Sequence, residues 1–202
     1  SEMCIRADIL ADTFFVSRGL GENGLTALNL AIPVYSFIHG SGLMLGIGGA
    51  TKYSIFKSNK ENKNANTIFT NTLCLATVLS IGFVLIGIFL SKSLTTALGA
   101  DSDVFKMTNT YLQFILIFAP AFIINDVLIC FVRNDNSPKL SMYAMLGGSL
   151  SNIILDYIFI FPLQLGIFGA VFATGLAPII SMLIYPYTCL LYTSPSPRDY
   201  AA

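Results

Sequence analysis

Apolar residues along this chain gather into long runs separated by short polar connectors. The runs are too long for the strands or amphipathic helices of a water-soluble domain. A helix needs about 20 mostly apolar residues to cross a bilayer. The first run is a stub, Ala7 to about Val16, and five full runs follow it. The second extends from Leu25 to about Ala50, with an amphipathic extension to Phe56. The third covers about Thr67–Leu90, the fourth Thr108–Val132 and the fifth Leu140–Phe161, and the sixth begins near Gly166. The connectors are Ser17–Gly24, Lys57–Asn66, Ser91–Lys106, Arg133–Lys139 and Pro162–Leu165. Each holds Gly, Pro, Asn or charge, as loops do. The pattern predicts an all-α, polytopic membrane bundle of about six transmembrane helices, the first of them truncated.

Composition agrees with that class. Hydrophobic residues make up 54% of the chain and charged residues 11%, against about 25% charged in soluble domains. The formal net charge is zero, so nothing supplies the basic face that nucleic-acid binding needs. The four cysteines, Cys4, Cys74, Cys130 and Cys189, form no Cys-x-x-Cys pair, and no histidine stands at zinc spacing from them. Cys74 and Cys130 lie inside apolar runs and read as small apolar packers. Neither a cofactor nor an enzymatic centre is expected.

Charge also orients the bundle. One set of alternating connectors carries Lys52, Lys57, Lys60, Lys63, Arg133 and Lys139; the other carries Arg18, Lys92 and Lys106. The richer side is expected to be cytoplasmic. That puts the N-terminal side inside the cell. Gly42 and Gly46 form a Gly-x-x-x-Gly, a spacing that lets helices approach closely in lipid. Pro33, Pro120 and Pro178 fall mid-helix and predict kinks or hinges.

Ionisable residues inside membrane helices are costly, so each is a functional candidate. Asp12, Asp126 and Asp156 lie well within spans. Asn152 and Asp156 are four apart and share a helix face, which Ser149 extends by about a turn. Thr174, in the sixth run, offers one more oxygen. Carboxylate, amide and hydroxyl oxygens suit a hard cation such as Na+. Clustered carboxylates can equally share a proton. The same residues can also serve only to hydrogen-bond helices together. Asp126 lies seven residues before Arg133, a spacing that suggests a structural pair near the cytoplasmic end. His39, alone in the second run, reads as a packed or pore-facing side chain. Tyr35, Tyr111 and Tyr143 are candidates to line a cavity for apolar cations.

Both ends look foreign to this bundle. Cys189–Asp199 resembles a translated transposase-type sequencing adaptor, one frame of which reads Cys-Leu-Leu-Tyr-Thr-Ser. The opposite strand of that element can read Met-Cys-Ile-Arg, and the chain opens Ser1-Glu2-Met3-Cys4-Ile5-Arg6. Residues 1–6 and 189–202 are therefore expected to be adaptor-derived. Residues 7–188 are expected to form the membrane bundle itself.

Several segments together resemble one family. Ala11-Asp12-Thr13-Phe14-Phe15-Val16, then Gly19-Leu20-Gly21, looks like the end of the first helix of the multidrug and toxic compound extrusion (MATE) family. Ala27-Leu28-Asn29-Leu30-Ala31-Ile32-Pro33 and Gly46-Ile47-Gly48-Gly49-Ala50-Thr51 resemble its second helix. Ala65–Thr70 resembles the start of its third, and Arg133–Lys139 the loop after its fourth. Ser151–Phe159 and Gly166–Ala170 resemble its fifth and sixth. The series runs in order over about residues 8–188. Asn136 departs from it, standing where the family usually has glycine.

The resemblance implies a twelve-helix transporter of two lobes, of which this chain supplies the N-terminal one. It implies a coupling site for Na+ or H+ in this lobe, with Asp12, Asn152, Asp156 and Thr174 at the matching positions. The implied partners are the C-terminal lobe of the same polypeptide, the lipid bilayer and small amphipathic organic cations, exchanged by alternating access. A related alternative is a lipid-linked oligosaccharide or polysaccharide flippase, which a basic central cavity would favour and the acidic set argues against. An intramembrane aspartyl protease using Asp12 and Asp156 needs a Gly-x-Gly-Asp context, but Ile154 and Leu155 precede Asp156.

The charge asymmetry yields a direct test. In a background without native cysteines, cysteines placed at Asn62 and Ser137 should be labelled from the cytoplasm, and one at Ser102 from outside. External labelling at Asn62 would invert this topology.

Overall fold

The computed structural model describes residues 2–134 and 138–192, with side chains placed over 9–134 and 139–184. Among these residues there are seven α-helices and no strand. They are α1 (Glu2–Ser58), α2 (Asn62–Phe89), α3 (Ser91–Ala97), α4 (Ser102–Ile117), α5 (Ala119–Asn134), α6 (Pro138–Ile160) and α7 (Gly166–Tyr192). The expectations for Asn136, for the tail from residue 193 onward, and for the side chains of Cys4 and Cys189 lie outside the described residues.

The 57 residues of α1 exceed one bilayer crossing severalfold in rise at about 1.5 Å per residue. The helix is broken at Gly21, whose backbone sits at φ 68°, ψ −158°. That region is essentially open only to glycine. Ile9 and Asp12 line one space with Leu28, Ile32 and Tyr35. The arm before Gly21 therefore folds back beside the arm after it. The loop expected over Ser17–Gly24 is compressed to this one residue, because a glycine reverses the chain without unwinding the turns on either side.

The fourth apolar run is also interrupted. α4 and α5 are bent by 48° at a break between Ile117 and Ala119. Pro120 is the second residue of α5, where its missing N–H falls among first-turn donors that have no intrahelical partner. α1 and α7 run on through Pro33 and Pro178. Helices α1, α2, α6 and α7 are each long and apolar enough to span a membrane, and the bent α4–α5 pair makes one more span. The fold-back at Gly21 divides α1 into two arms, the first of them the short stub expected from the sequence.

The helices overrun the apolar runs that announce them. α2 starts at Asn62 and α4 at Ser102, both inside expected connectors, and α3 occupies part of another. Apolar runs mark the lipid-buried length only. Intrahelical bonds persist beyond it, in water, among Asn, Lys and Ser. Likewise the helices include residues 2–6 and 189–192.

The most extensive packing joins α6 to α7 and α1 to α5. A Cβ at Gly42 would stand 3.0 Å from Asp126 Oδ2 and 3.1 Å from Ile123 Cα; one at Gly46 would stand 2.9 Å from Cys130 Sγ and 3.1 Å from Val127 Cα. The Gly-x-x-x-Gly of α1 is thus a backbone-to-backbone contact with α5. Leu112, Ile115, Phe122 and Ile123 fill the interior, while Leu75, Val78, Ile81, Leu146, Leu150 and Ile154 are exposed outside. A bundle apolar on both its inner and outer faces belongs in lipid.

Gly21 and Gly40 form a paired test. Neither has an atom within 4 Å of an added Cβ, so crowding is absent at both. Gly21→Ala should cost about 1–3 kcal/mol from backbone strain alone. Gly40→Ala, at a helical position, should stabilise by up to about 1 kcal/mol. Unfolding of the purified protein in detergent measures both, and equal effects would refute the fold-back geometry.

Candidate functional site

Three helices bring four polar side chains together inside this apolar bundle. The first arm of α1 contributes Asp12, α6 contributes Asn152 and Asp156, and α7 contributes Thr174. All four are buried, at 4%, 1%, 0% and 3% exposure respectively. Asn152 and Asp156 share the inward face of α6 because they are one helical turn apart, and Leu150 and Ile154 beside them point outward. Asp156, Thr174 and Asn152 all come within interaction range of the Asp12 carboxyl.

Thr174 Oγ1 lies 3.1 Å from Asp12 Oδ2 and 2.9 Å from the carbonyl oxygen of Ala170. One hydroxyl carries one proton. It donates either to the Asp12 carboxylate or to the α7 backbone. When it donates to Ala170, its lone pairs face Asp12 and can accept a proton from the carboxyl or contact a cation. Asp12 Oδ1 and both amide atoms of Asn152 have no hydrogen-bond partner among the described residues. The set therefore offers oxygen ligands that protein hydrogen bonds leave unsaturated. Among the described residues, no group of three or more His, Cys, Asp or Glu is placed to hold a metal. Two carboxylates with amide and hydroxyl oxygens suit a monovalent hard cation or a proton.

The three candidate tyrosines do not line one space. Tyr111, on α4, is 3% exposed and lies next to Asp12, Thr174 and Asp156. Tyr35, on the second arm of α1, borders two cavities. One, of about 10 Å³, also touches Asp12 and Tyr111. The other, of about 70 Å³, reaches Asn152 and Thr174. Tyr143 is 54% exposed on the outside of α6.

Asp126 differs from the sequence expectation. Its partner is His39, with Nδ1 2.7 Å from Oδ2, and not Arg133. Two helical turns separate Asp126 from Arg133. Asp126 points inward at α1, while Arg133 is exposed at the end of α5. His39 is thus packed, but through a hydrogen bond between residues 87 apart in sequence. Local spacing carries no signal for such a pair; the nearest hint is that Gly42 leaves room for Asp126 beside His39. Asn125 and Ser181, on the wall of the larger cavity, were not singled out by sequence either, because each is a common polar residue without a patterned neighbour.

A family model described as MatE matches residues 9–158. The multidrug export protein MepA of Staphylococcus saprophyticus is 29% identical over 176 residues, covering 87% of this chain and 39% of MepA. The chain thus spans about two fifths of the length of the curated relatives it matches. An inward-facing structure of a multidrug resistance MATE family transporter superposes with a TM-score of 0.84 at 28% identity, covering 90% of this chain and 41% of that one. An outward-facing structure superposes at 0.85 and 27%, covering 98% and 45%.

The bond between Asp12 and Thr174 can be weighed by substitution. Thr174→Val leaves a buried carboxylate oxygen without its donor, which should destabilise the protein by about 1–3 kcal/mol. Thr174→Ser retains the hydroxyl and loses one methyl, about 0.8 kcal/mol. Equal losses in detergent unfolding would show that the hydroxyl contributes nothing.

Proposed function

Because the chain belongs to the MatE family, we propose that it forms the N-terminal lobe of an exporter in which Asp12, Asn152, Asp156 and Thr174 take up Na+ or H+ to drive efflux of amphipathic organic cations. The observation that carries this reading is the burial of Asp12 and Asp156 together, from separate helices, with Thr174 bonded to Asp12. A lone charge at mid-membrane costs on the order of 2.5–3.5 kcal/mol or more. Two adjacent carboxylates cost more still unless a positive charge joins them. The cluster therefore has an intrinsic drive to bind a cation or proton and to release it when its surroundings change.

Binding does work only if the site differs between two states. The lobe fits inward-facing and outward-facing relatives about equally well. That supports motion between lobes, with this one largely rigid, as alternating access requires. Its partner is the second lobe of the same polypeptide, and the two enclose the substrate path. Tyr35 and Tyr111 sit between that path and the ion site, and Tyr143 belongs to the outer surface of α6. The protein is placed in a bacterial cytoplasmic membrane with its N-terminal side inside. It has no catalytic step and no cofactor beyond the coupling ion. The flippase alternative calls for a basic central cavity, and the described residues lining the larger of the two cavities at Tyr35 include no Lys or Arg.

Asp156→Asn in the full-length polypeptide tests the coupling. It removes the charge at nearly constant size. Insertion and elution should match the wild type, while gradient-driven efflux of a fluorescent organic cation from vesicles falls to background. Wild-type efflux by this variant would end the proposal. Imposing the Na+ gradient and the pH gradient separately distinguishes the two ions.

A further inference from the structure

A second buried titratable pair stands apart from the cluster just described. His39 and Asp126 are 8% and 5% exposed, and their Nδ1–Oδ2 contact of 2.7 Å links the second arm of α1 to α5. The imidazole is held edge-on by Tyr35, at 4.5 Å between ring centroids, and tilted against Phe122 at 5.1 Å. With both Nδ1 and ring plane fixed, Nε2 can point in only one direction. Nε2 is buried and has no partner among the described residues, and His39 lines the 70 Å³ cavity.

The same cavity is bordered by Asn152 and Thr174 of the Asp12 cluster. Asn125 Oδ1, both amide atoms of Asn152 and Ser181 Oγ are likewise buried without partners, and all three residues line it. Unpartnered polar atoms around a space that admits water mark a hydrated site. We propose that His39–Asp126 is a second proton-binding site, joined by a water-filled cavity to Asp12, Asn152, Asp156 and Thr174. This rests on the coupling role of that cluster.

The proton balance is simple. A neutral imidazole donates Nδ1–H to the Asp126 carboxylate, and the pair carries one negative charge in a poorly polarisable interior. A proton arriving from cavity water binds Nε2, converts His39 to imidazolium, and makes the pair neutral. Its departure reverses the step, and no bond between heavy atoms changes. The walls facing His39 contain few other charges. α5 contributes Asp126 and Asn125, α6 Ser149 and Asn152, and α7 Thr174 and Ser181. Among the described residues Tyr35 is the only other titratable group on those walls, and α2 and α4 contribute nothing to them. A proton on Nε2 is felt first by Asp126, in contact with the ring, and next by the carboxylates beyond Asn152, so each site senses the occupancy of the other.

His39 is the only histidine of the 202 residues, so no other histidine of this lobe overlaps its signal. Isotope-labelled histidine in the full-length polypeptide, in phosphatidylglycerol nanodiscs, reports the state of each ring nitrogen by NMR. His39→Gln assigns the signal by its loss. Nε2 should change from bare acceptor to N–H as pH falls, and Asp156→Asn should displace the pH of that change. Asp103→Asn, exposed on α4, should not. If Nε2 keeps one form at every pH, or its change is indifferent to Asp156, the proposal is overturned. If Asp156→Asn displaces the His39 change yet retains coupled efflux, the second site stands and the coupling reading fails. If it abolishes efflux without displacing that change, only the second site falls.

Discussion

The constraint on which this structure turns is the burial of two carboxylates inside a bundle whose outer surface is itself apolar. In a soluble protein a buried acid can be relieved by a small shift toward water. Here the exterior beside α6 is Leu146, Leu150 and Ile154, and a shift in that direction is worse than staying. Asp12 and Asp156 are thus confined to the interior, and the helices carrying them must face one another. Thr174 completes the arrangement from α7, and its single hydroxyl proton has two acceptors, Asp12 and the Ala170 carbonyl. Asp12 Oδ1 and the Asn152 amide are left without partners among the described residues, so the site keeps polar capacity that a bound cation, proton or water could use.

Close helix approach makes that confinement possible. Without a hydrophobic drive between helices in lipid, contact depends on shape. Gly42 and Gly46 let α1 meet the backbone of α5, and the same contact leaves space for Asp126 beside His39. The fold-back at Gly21 then returns the first arm of α1 along the second, carrying Asp12 to the level of Tyr35. Two glycine devices, one conformational and one steric, thereby determine where both acidic sites stand.

Much of this was legible from the chain. Apolar run length identified the passes because the bilayer imposes one thickness on all of them. Helical periodicity placed Asn152 and Asp156 on one face, and Pro120 marked the bend between α4 and α5. Thr174 was a candidate oxygen from its place in the sixth run, but setting Asp12 beside that group drew on likeness to a family, since spacing within one helix says nothing about which helices are neighbours. The same limit explains Asp126. Its local neighbour Arg133 was the natural reading of spacing, and its actual partner lies across the bundle on α1. Helix ends were also misjudged, at α2, α3 and α4, because polarity reports where lipid stops and not where the backbone ceases to be helical.

A charge site deep in one lobe can govern a transporter only if its occupancy is expressed at the lobe's boundary. Each of the helices holding the Asp12 cluster is also packed against another part of the bundle: α1 against α5, α6 against α7, α7 against α4. Removing the positive charge sets two carboxylates against each other across the α1–α6 contact. Binding it draws the same helices together. A packed interior has few intermediate arrangements available, so a small change of separation at Asp12 and Asp156 is passed to whole helices and not absorbed locally. On the proposed coupling reading, occupancy of the Asp12 cluster would therefore be expressed in the placement of whole helices, α1 and α6 first, and through them at the face offered to a second lobe.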